Sequence, residues 1–233
     1  MPQHRPRGIH GQTVEILASR ILSNEYPEGA TLDLPTLRAE LDVSLTALRE
    51  ALKVLSAKGM IDARQKRGTF VQRRSSWNML DADVMRWHTA VSSDPGLFDQ
   101  LTEVRAVVEP AAARLAAERA TPSDLEALTS ALESMATAAG VDAAVTADVM
   151  FHRALLAATH NDFLGQIAQI IAIGLEERDK FVHHANPSDP VPSHRAVLDA
   201  VTARDPLAAE AAMRALVDQS IADLKNASDS HPE

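Results

Sequence analysis

An acid and a histidine stand four residues apart in the stretch DVMFHRALLAATHN, residues 148–161. Four residues make just over one helical turn, so Asp148 and His152 would lie on one face of a helix. A carboxylate and an imidazole can bind a divalent metal together. A histidine on a helix is nevertheless more often a satisfied or exposed residue than a ligand. The pair alone therefore leaves metal binding open.

Two further sets of polar residues could do chemistry. Arg105 and Glu109 share a helix face within TEVRAVVEPAAARLAA, a spacing that is usually a surface ion pair. His194 follows the proline-rich segment 186–192, which we expect to be a loop, and would open a later helix. The chemical role of these residues depends on the helices and loops that position them.

Composition limits the class of protein. The 233 residues are 45% hydrophobic, enough for one large domain or two. The chain has no cysteine, which excludes disulfides and thiolate metal ligands and fits a reducing cytoplasm. No apolar run approaches the roughly 18 residues of a membrane span, and the start MPQHRPRG lacks the apolar core of a signal peptide. We expect a cytoplasmic protein without a membrane partner.

Charge divides the chain in two. The net charge is -9, yet residues 1–74 hold 12 Lys and Arg against 8 Asp and Glu, whereas residues 75–233 hold 11 against 24. DNA attracts a basic surface and repels an acidic one. The imbalance therefore predicts two domains with different partners, the first of them DNA.

The basic part has the pattern of a winged helix-turn-helix. Helices are expected near residues 9–24 and 35–41, and a longer one in DVSLTALREALKVLSAKG, capped by Ser44. One face of this longer helix is an apolar stripe, and the other is polar and cationic: Leu45, Leu48, Leu52 and Leu55 against Thr46, Arg49 and Lys53. The strand-like runs MIDAR and TFVQ, joined by a turn at residues 65–68, complete a basic hairpin.

This geometry suits DNA, because a helix fits the major groove while a hairpin tip carrying Lys66 and Arg67 can reach phosphates or the minor groove. The alternative is a winged helix used only for protein contacts, with Arg49 and Lys53 merely solvated.

The stretches YPEGATL, DVSLTALREALKVLSAKGMI and KRGTFV, within residues 9–74, resemble the DNA-binding domain of the GntR superfamily of bacterial transcription regulators. The resemblance implies a dimer on a roughly palindromic operator, with DNA contacts from Ser44, Thr46, Arg49 and Lys66 to Gly68. The chain departs from the family at Leu45 and at Pro35, where arginine is usual or frequent. Arg38, one turn beyond Pro35, could compensate.

The sequence of the acidic part, residues 75–233, predicts only helices. SSWNMLDADVMRW, with two tryptophans, is interpreted as a short amphipathic linker helix within residues 75–92 that packs two domains together. Beyond it, for residues 93–233, we expect an all-α antiparallel bundle. Thr121 and Asp205 each precede a proline and should cap helices. The expected helices are 95–119, 123–138, 142–160, 162–185, 194–204 and 206–226.

The order of EVRAVVE, DVMFHRAL, HRAVLDAV and DPLAAEAAMRAL across residues 98–226 resembles the FCD effector domain of FadR-like members of this superfamily. The resemblance implies a dimerising bundle whose pocket binds a small organic acid that changes DNA affinity. In many such domains one Asp and three His hold a divalent metal. Asp148, His152 and His194 match three of these positions, and Leu216 stands at the fourth.

Leucine has no lone pair, so three ligands would have to hold Zn, Ni, Mn or Fe, with water or effector completing the shell. Such a metal would be weakly held or labile. Gln219, one turn beyond Leu216, is a candidate replacement. For the effector carboxylate we expect Arg105, whose guanidinium can bind it bidentately, and then Arg178.

We therefore predict a ligand-responsive transcription regulator, a repressor, rather than an enzyme. WNMLDADVMRW resembles regulators of sugar-acid use and favours an aldonate such as galactonate or gluconate, ahead of other hydroxy acids, dicarboxylates or fatty acyl compounds. One alternative is a metal-dependent enzyme of the two-His-one-carboxylate type. The other is a DNA-binding protein without an effector.

Overall fold

The computed structural model of the chain describes residues 8–91, 95–183 and 189–230. The chain separates into two compact units, residues 1–93 and 94–233.

The first unit is a winged helix-turn-helix. Its two strands pair antiparallel, from Ile61 opposite Val71 to Arg64 opposite Gly68. The predicted fold class is confirmed here. The elements are α1 (Gly8–Leu22), α2 (Leu34–Glu40), α3 (Leu45–Ala57), β1 (Ile61–Arg64), β2 (Gly68–Val71), a short 3-10 helix (Arg74–Ser76) and α4 (Ala82–Val91).

The longer helix α3 begins and packs as its sequence predicts, with one exception. Ser44 caps it, because its hydroxyl accepts a hydrogen bond from the backbone N–H of Ala47 at 3.1 Å. Leu48, Leu52 and Leu55 are buried in the core of the unit. The placement of Leu45 in this buried stripe was wrong, since 39% of that residue is exposed.

Glycine is required where α3 ends. Gly59 has a φ of 74°, and its amide and that of Met60 donate to the carbonyls of Ser56 and Leu55, closing a Schellman motif. A Cβ at this position would stand 2.2 Å from the carbonyl oxygen of Ser76. The chain therefore turns at Gly59 and passes directly from α3 into the first strand of the wing.

The prediction of a linker helix that carries both tryptophans was wrong for the first half of that segment. Helix α4 starts only at Ala82, because the carboxylate of Asp81 accepts from the amides of Asp83 and Val84 at 2.9 and 3.2 Å and fixes the helix start. Trp77 lies before the helix, and its indole N–H donates to the carbonyl of Gln72 at 3.1 Å.

Helix α4 is part of the first unit. It packs against α1, and Val84 is buried in the same core, with Trp77, Met79 and Trp87 against it. The region following the wing is therefore built into the winged helix.

Two ion pairs of one lysine tie the start of α4 to the end of α3. The Nζ of Lys58 lies 2.7 Å from Asp81 and 2.8 Å from Asp83, and 5.5 Å from the ring centroid of Trp87. Burial alone would raise the pKa of Asp83, but the ammonium of Lys58 outweighs it and holds that pKa below its ordinary value.

The second unit is all-α in its described part, as predicted. Arg105 contacts Ser220 and Arg114 contacts Glu210, so α5 and α10 run antiparallel. Thr121 and Asp205 cap α6 and α10 as expected. The helices are α5 (Pro95–Arg119), α6 (Pro122–Ala136), α7 (Val141–Ala157), α8 (Asp162–His183), α9 (Val191–Thr202) and α10 (Pro206–Ser230).

Helix α9 starts earlier than predicted. It begins at Val191, so Pro192 lies in its first turn and His194 is not its first residue. Proline is tolerated there because the amides of a first turn have no partner within the helix. Of the expected loop, residues 186–188 lie outside the described residues.

Small side chains dominate the core of this unit. Ala113, Ala116 and Ala117 of α5 are buried in it together with Phe151 of α7. Alanines let neighbouring helices approach closely but supply no hydrogen bonds. Over the described ranges, no helix combines the length and the hydropathy that crossing a membrane would need.

We predict that Lys58→Ala lowers the free energy of unfolding of the first unit by about 1–2 kcal/mol, because two carboxylates lose a charged hydrogen-bond donor. The two tryptophans of the chain, Trp77 and Trp87, both lie in this unit. Tryptophan fluorescence during urea unfolding therefore reports on it selectively.

Lys53→Ala is the matched control, because Lys53 pairs with Glu50 on an exposed surface, where such a pair contributes about 0–0.5 kcal/mol. The lowered pKa of Asp83 means that its stabilisation is present at neutral pH and is lost as the pH falls below the ordinary value of 3.8. Equal effects of the two variants, or a Lys58 effect unchanged at pH 3, would contradict this assignment.

Candidate functional site

Polar side chains from three helices meet inside the second unit. Helix α5 supplies Arg105 and Glu109, α7 supplies Asp148 and His152, and α9 supplies His194. All except Asp148 are buried, and the carboxylate side chain of Asp148 is 15% exposed. The three residues predicted as metal ligands are thus brought together.

The Arg105 and Glu109 pair is buried, not on the surface as its spacing alone suggested. The Nε and Nη2 atoms of Arg105 donate to the two carboxylate oxygens of Glu109 at 3.0 and 3.4 Å. Burial by itself would raise the pKa of Glu109, but the charges of Arg105 and His152 lower it to about 2. Glu109 is therefore ionised at neutral pH.

His152 lies between two carboxylates. Its Nδ1 is 3.2 Å from Glu109 Oε2, and its Nε2 is 3.7 Å from Asp148 Oδ2 and 3.5 Å from Nη2 of Arg105. The Nδ1 atom thus faces an outer carboxylate, although without a hydrogen bond of acceptable geometry, and Nε2 faces inward. Metal-binding histidines have their two ring nitrogens turned in this way.

His194 shows the same orientation from the other side. Its Nδ1 lies 2.8 Å from the carbonyl oxygen of Pro190, which can only accept, so Nδ1 carries the hydrogen. Its Nε2 lies 3.0 Å from Asp148 Oδ1 but in no hydrogen bond of acceptable geometry with any described residue. Phe151 packs edge-on against this ring, with centroids 4.8 Å apart.

This arrangement leaves room for a positive charge. A neutral His194 would point an Nε2 lone pair at a carboxylate oxygen, and two lone pairs repel unless a proton or a cation lies between them. The pKa of Asp148 is held well below its ordinary range, because His152, His194 and Arg105 outweigh its burial.

The donor set fits a divalent cation. One oxygen of Asp148 and one nitrogen each of His152 and His194 lie within 4.8 Å of one another. Carboxylate and imidazole are ligands that Zn, Ni, Mn and Fe accept. The outer positions of both rings are already satisfied or faced by acceptors, as metal-binding histidines require.

The position that the family resemblance implies for a fourth ligand is apolar. Leu216 is buried in the Ala-rich core, where Met213 also lies. Gln219 does not replace it: that side chain is exposed and donates to Asp223 at 2.9 Å, so the expectation was wrong. An amide at this position of α10 points away from the bundle.

Ser220 is a residue that the sequence did not single out. Its hydroxyl accepts from Nη1 of Arg105 at 3.1 Å, and its carbonyl oxygen accepts from Nη2 of Arg178 at 2.7 Å. Arg105 and Arg178, the two arginines expected near the effector, therefore both hydrogen-bond to Ser220 of α10. The available signal was its position one turn after Leu216 on the buried face of the helix.

The polar face of α3 is exposed as expected. Thr46, Arg49 and Lys53 are all accessible, and Lys53 lies 2.7 Å from Glu50 on the same face. Within the described part of the chain, the side chain of Arg49 makes no ion pair. Arg38 is exposed at the end of α2.

The two basic side chains at the tip of the wing, Lys66 and Arg67, differ in their contacts. Lys66 is exposed at the turn with a φ of 74°, and Gly68 follows with a φ of 77°. The guanidinium of Arg67 instead lies over the ring of Phe70, 3.6 Å from its centroid, and donates to the carbonyl of Gly29 at 3.3 Å. Arg67 thus braces the wing against the loop before α2.

A winged helix-turn-helix followed by an all-α unit is the architecture of a class of DNA-binding transcription regulators. Residues 10–71 match the bacterial regulatory proteins of the gntR family, and residues 100–219 match the FCD domain. The chain belongs to the GntR family of transcription regulators and carries an FCD domain.

Its relatives are transcription regulators and not enzymes. The galactonate operon transcriptional repressor of Escherichia coli is 38% identical, over 90% of this chain and 93% of that protein. The HTH-type transcriptional regulator Rv0494 of Mycobacterium tuberculosis is 33% identical, over 94% and 90%. The solved structure of Streptococcus agalactiae GntR aligns with a TM-score of 0.50 at 25% identity, over 93% of this chain and 99% of that one.

We predict that Glu109→Gln destabilises the second unit by about 3 kcal/mol or more, because the guanidinium of Arg105 then lies buried without a counter-charge. Glu118→Gln is the matched control: Glu118 stands four residues after Arg114 on the same helix, but both side chains are exposed. That control should change stability by less than about 0.5 kcal/mol. Urea unfolding followed by far-UV circular dichroism measures both, and similar losses would contradict a buried, obligatory pair.

Proposed function

We propose that the protein is a repressor whose operator affinity falls when a small organic acid binds beside a divalent cation in the second unit. The observation that carries this proposal is the buried set of Asp148, His152 and His194, adjacent to the guanidinium of Arg105. A regulator that only bound DNA would have no need of an ionised cluster inside its second unit.

On DNA, α3 lies in the major groove and the wing contacts the backbone or minor groove. Arg49 and Thr46 reach base edges. Ser44, at the start of the helix, contacts the DNA through its hydroxyl. Lys53 and Arg38 contact phosphates, with the effect of Lys53 reduced by its pairing with Glu50. The wing contributes through Lys66, Arg67 and the turn at Gly68.

In the second unit, Asp148, His152 and His194 hold the cation. When bound, that ion supplies a positive Lewis-acid centre for the effector's carboxylate. Glu109 and the carbonyl of Pro190 hold the imidazoles in the orientation that the site requires, and Arg105 balances the charge of Glu109. Leu216 leaves the rest of the shell to water or effector.

The effector is a sugar acid, and galactonate is the first candidate. The 38% identical relative is named for the galactonate operon, and the polar groups of the cluster favour a hydroxylated carboxylate over an apolar one. Arg105 and Arg178, which both hydrogen-bond to Ser220, are buried cations that could meet its carboxylate.

The response is a shift between populations of two states. A homodimer places two recognition helices on a palindromic operator, where half-sites lie about one helical turn apart. Effector binding favours a state in which this spacing is lost, and α4 passes the change to the first unit, into which it is packed. Such a repressor works in the cytoplasm, where its operator is.

The test begins with an operator selected from random duplexes by the purified protein at fixed salt. With a divalent metal present, galactonate should lower operator affinity at least about fivefold, the usual scale of allosteric coupling. Asp148→Asn should bind the operator normally but lose this response, as measured by fluorescence anisotropy.

Asp142→Asn is the control, because Asp142 lies on the same helix but is exposed. An operator affinity that no sugar acid, hydroxy acid or dicarboxylate alters would refute the effector mechanism while leaving DNA binding intact. Retention of the full response by Asp148→Asn would instead refute this site.

We predict that Leu216→His raises the affinity for Zn²⁺ or Co²⁺ by at least about tenfold, because it adds an imidazole to three existing ligands. Competition with a chromogenic chelator measures affinity, and the visible absorption of Co²⁺ reports the change in its ligands. Ala215→His, an exposed neighbour, should change neither. An unchanged affinity in Leu216→His would place the vacant ligand position elsewhere.

A further inference from the structure

The recognition helix α3 begins with an exposed apolar side chain. Leu45 is its first residue, 39% exposed, while the leucines that follow on this helix are buried. Leu45 also takes no part in the apolar cluster of the first unit, neither in its buried centre nor among the half-buried residues packed against it. Folding therefore leaves much of this side chain accessible, unlike the leucines that follow it.

Its surroundings place it on the DNA-facing side. Thr46 and Arg49, the polar residues of that face, are exposed one and four positions further along. Arg49 stands one turn from Leu45, so the two side chains project from the same side of the helix. The capping bond of Ser44 fixes the backbone at Leu45, which therefore has a defined direction.

In a helix-turn-helix, residues at the N-terminal end of the recognition helix contact base edges. The major-groove edges of the bases carry hydrogen-bonding groups, except for one apolar group, the C5-methyl of thymine. Leucine can neither donate nor accept a hydrogen bond. Against guanine, adenine or cytosine it would remove water from polar groups without replacing its hydrogen bonds, which is unfavourable.

We propose that Leu45 is a specificity-determining residue that reads the C5-methyl of a thymine in each operator half-site. This assignment rests on the proposed placement of α3 in the major groove. We therefore expect a thymine at the operator position that Leu45 contacts, whereas a cationic residue in place of Leu45 would favour guanine there.

The experiment replaces single thymines by deoxyuridine, which removes only the methyl group. A selected operator is scanned in this way, with both half-sites changed together, and affinities are measured for the full-length protein by fluorescence anisotropy. For the wild type, deoxyuridine at one symmetric position should weaken binding by about three- to fivefold per half-site, the scale of one buried methyl. In Leu45→Ala that loss should disappear, while losses at other positions remain.

Ile16→Ala is the matched control, because Ile16 is similarly exposed, at 42%, but lies on α1. This variant should show the wild-type deoxyuridine pattern. Thermal unfolding of Leu45→Ala should change little, since Leu45 is not among the buried residues of the core.

Two results would overturn the inference. One is a wild-type scan without a methyl-dependent position, and the other is a Leu45→Ala scan with the same losses as the wild type. Both differ from failure of the proposed function, in which the wild-type protein either selects no operator sequence or binds an operator with an affinity that no acid alters.

Discussion

Compensation of buried charge is the constraint on which the second unit depends. Glu109 and Asp148 lie within an Ala-rich bundle, where an ionised carboxylate is stable only beside positive groups and hydrogen-bond donors. Arg105 neutralises Glu109, and the rings of His152 and His194 face Asp148. These contacts join α5, α7 and α9, so the polar pairs set how the helices are placed while the alanines only allow them to approach.

The orientation of the imidazoles follows from the same constraint. Outer acceptors face both Nδ1 atoms, and both Nε2 atoms point toward Asp148. The two carboxylates and the carbonyl of Pro190 therefore determine which nitrogen of each ring faces Asp148.

The first unit depends on a different contact, between the end of α3 and the start of α4. Lys58 pairs with Asp81 and Asp83, and Trp77 and Trp87 cover the adjoining core. The start of α4 is therefore tied to the end of α3, while the helix itself packs against α1. In the wing, the guanidinium of Arg67 lies over Phe70 and donates to the carbonyl of Gly29, which holds the wing against the loop before α2.

The sequence by itself determined where a helix starts when that start depends on neighbouring residues, as at Ser44, Thr121 and Asp205. It also named Asp148, His152 and His194 as candidate ligands, while Leu216 was singled out only by the resemblance to the family. It misplaced the linker helix, where the local cap is Asp81. Only the tertiary structure decided that Glu109 is buried, that Ser220 joins two arginines and that Leu45 faces outward. These facts depend on contacts between helices that are distant in the chain, and spacing along one helix cannot specify what its faces will meet.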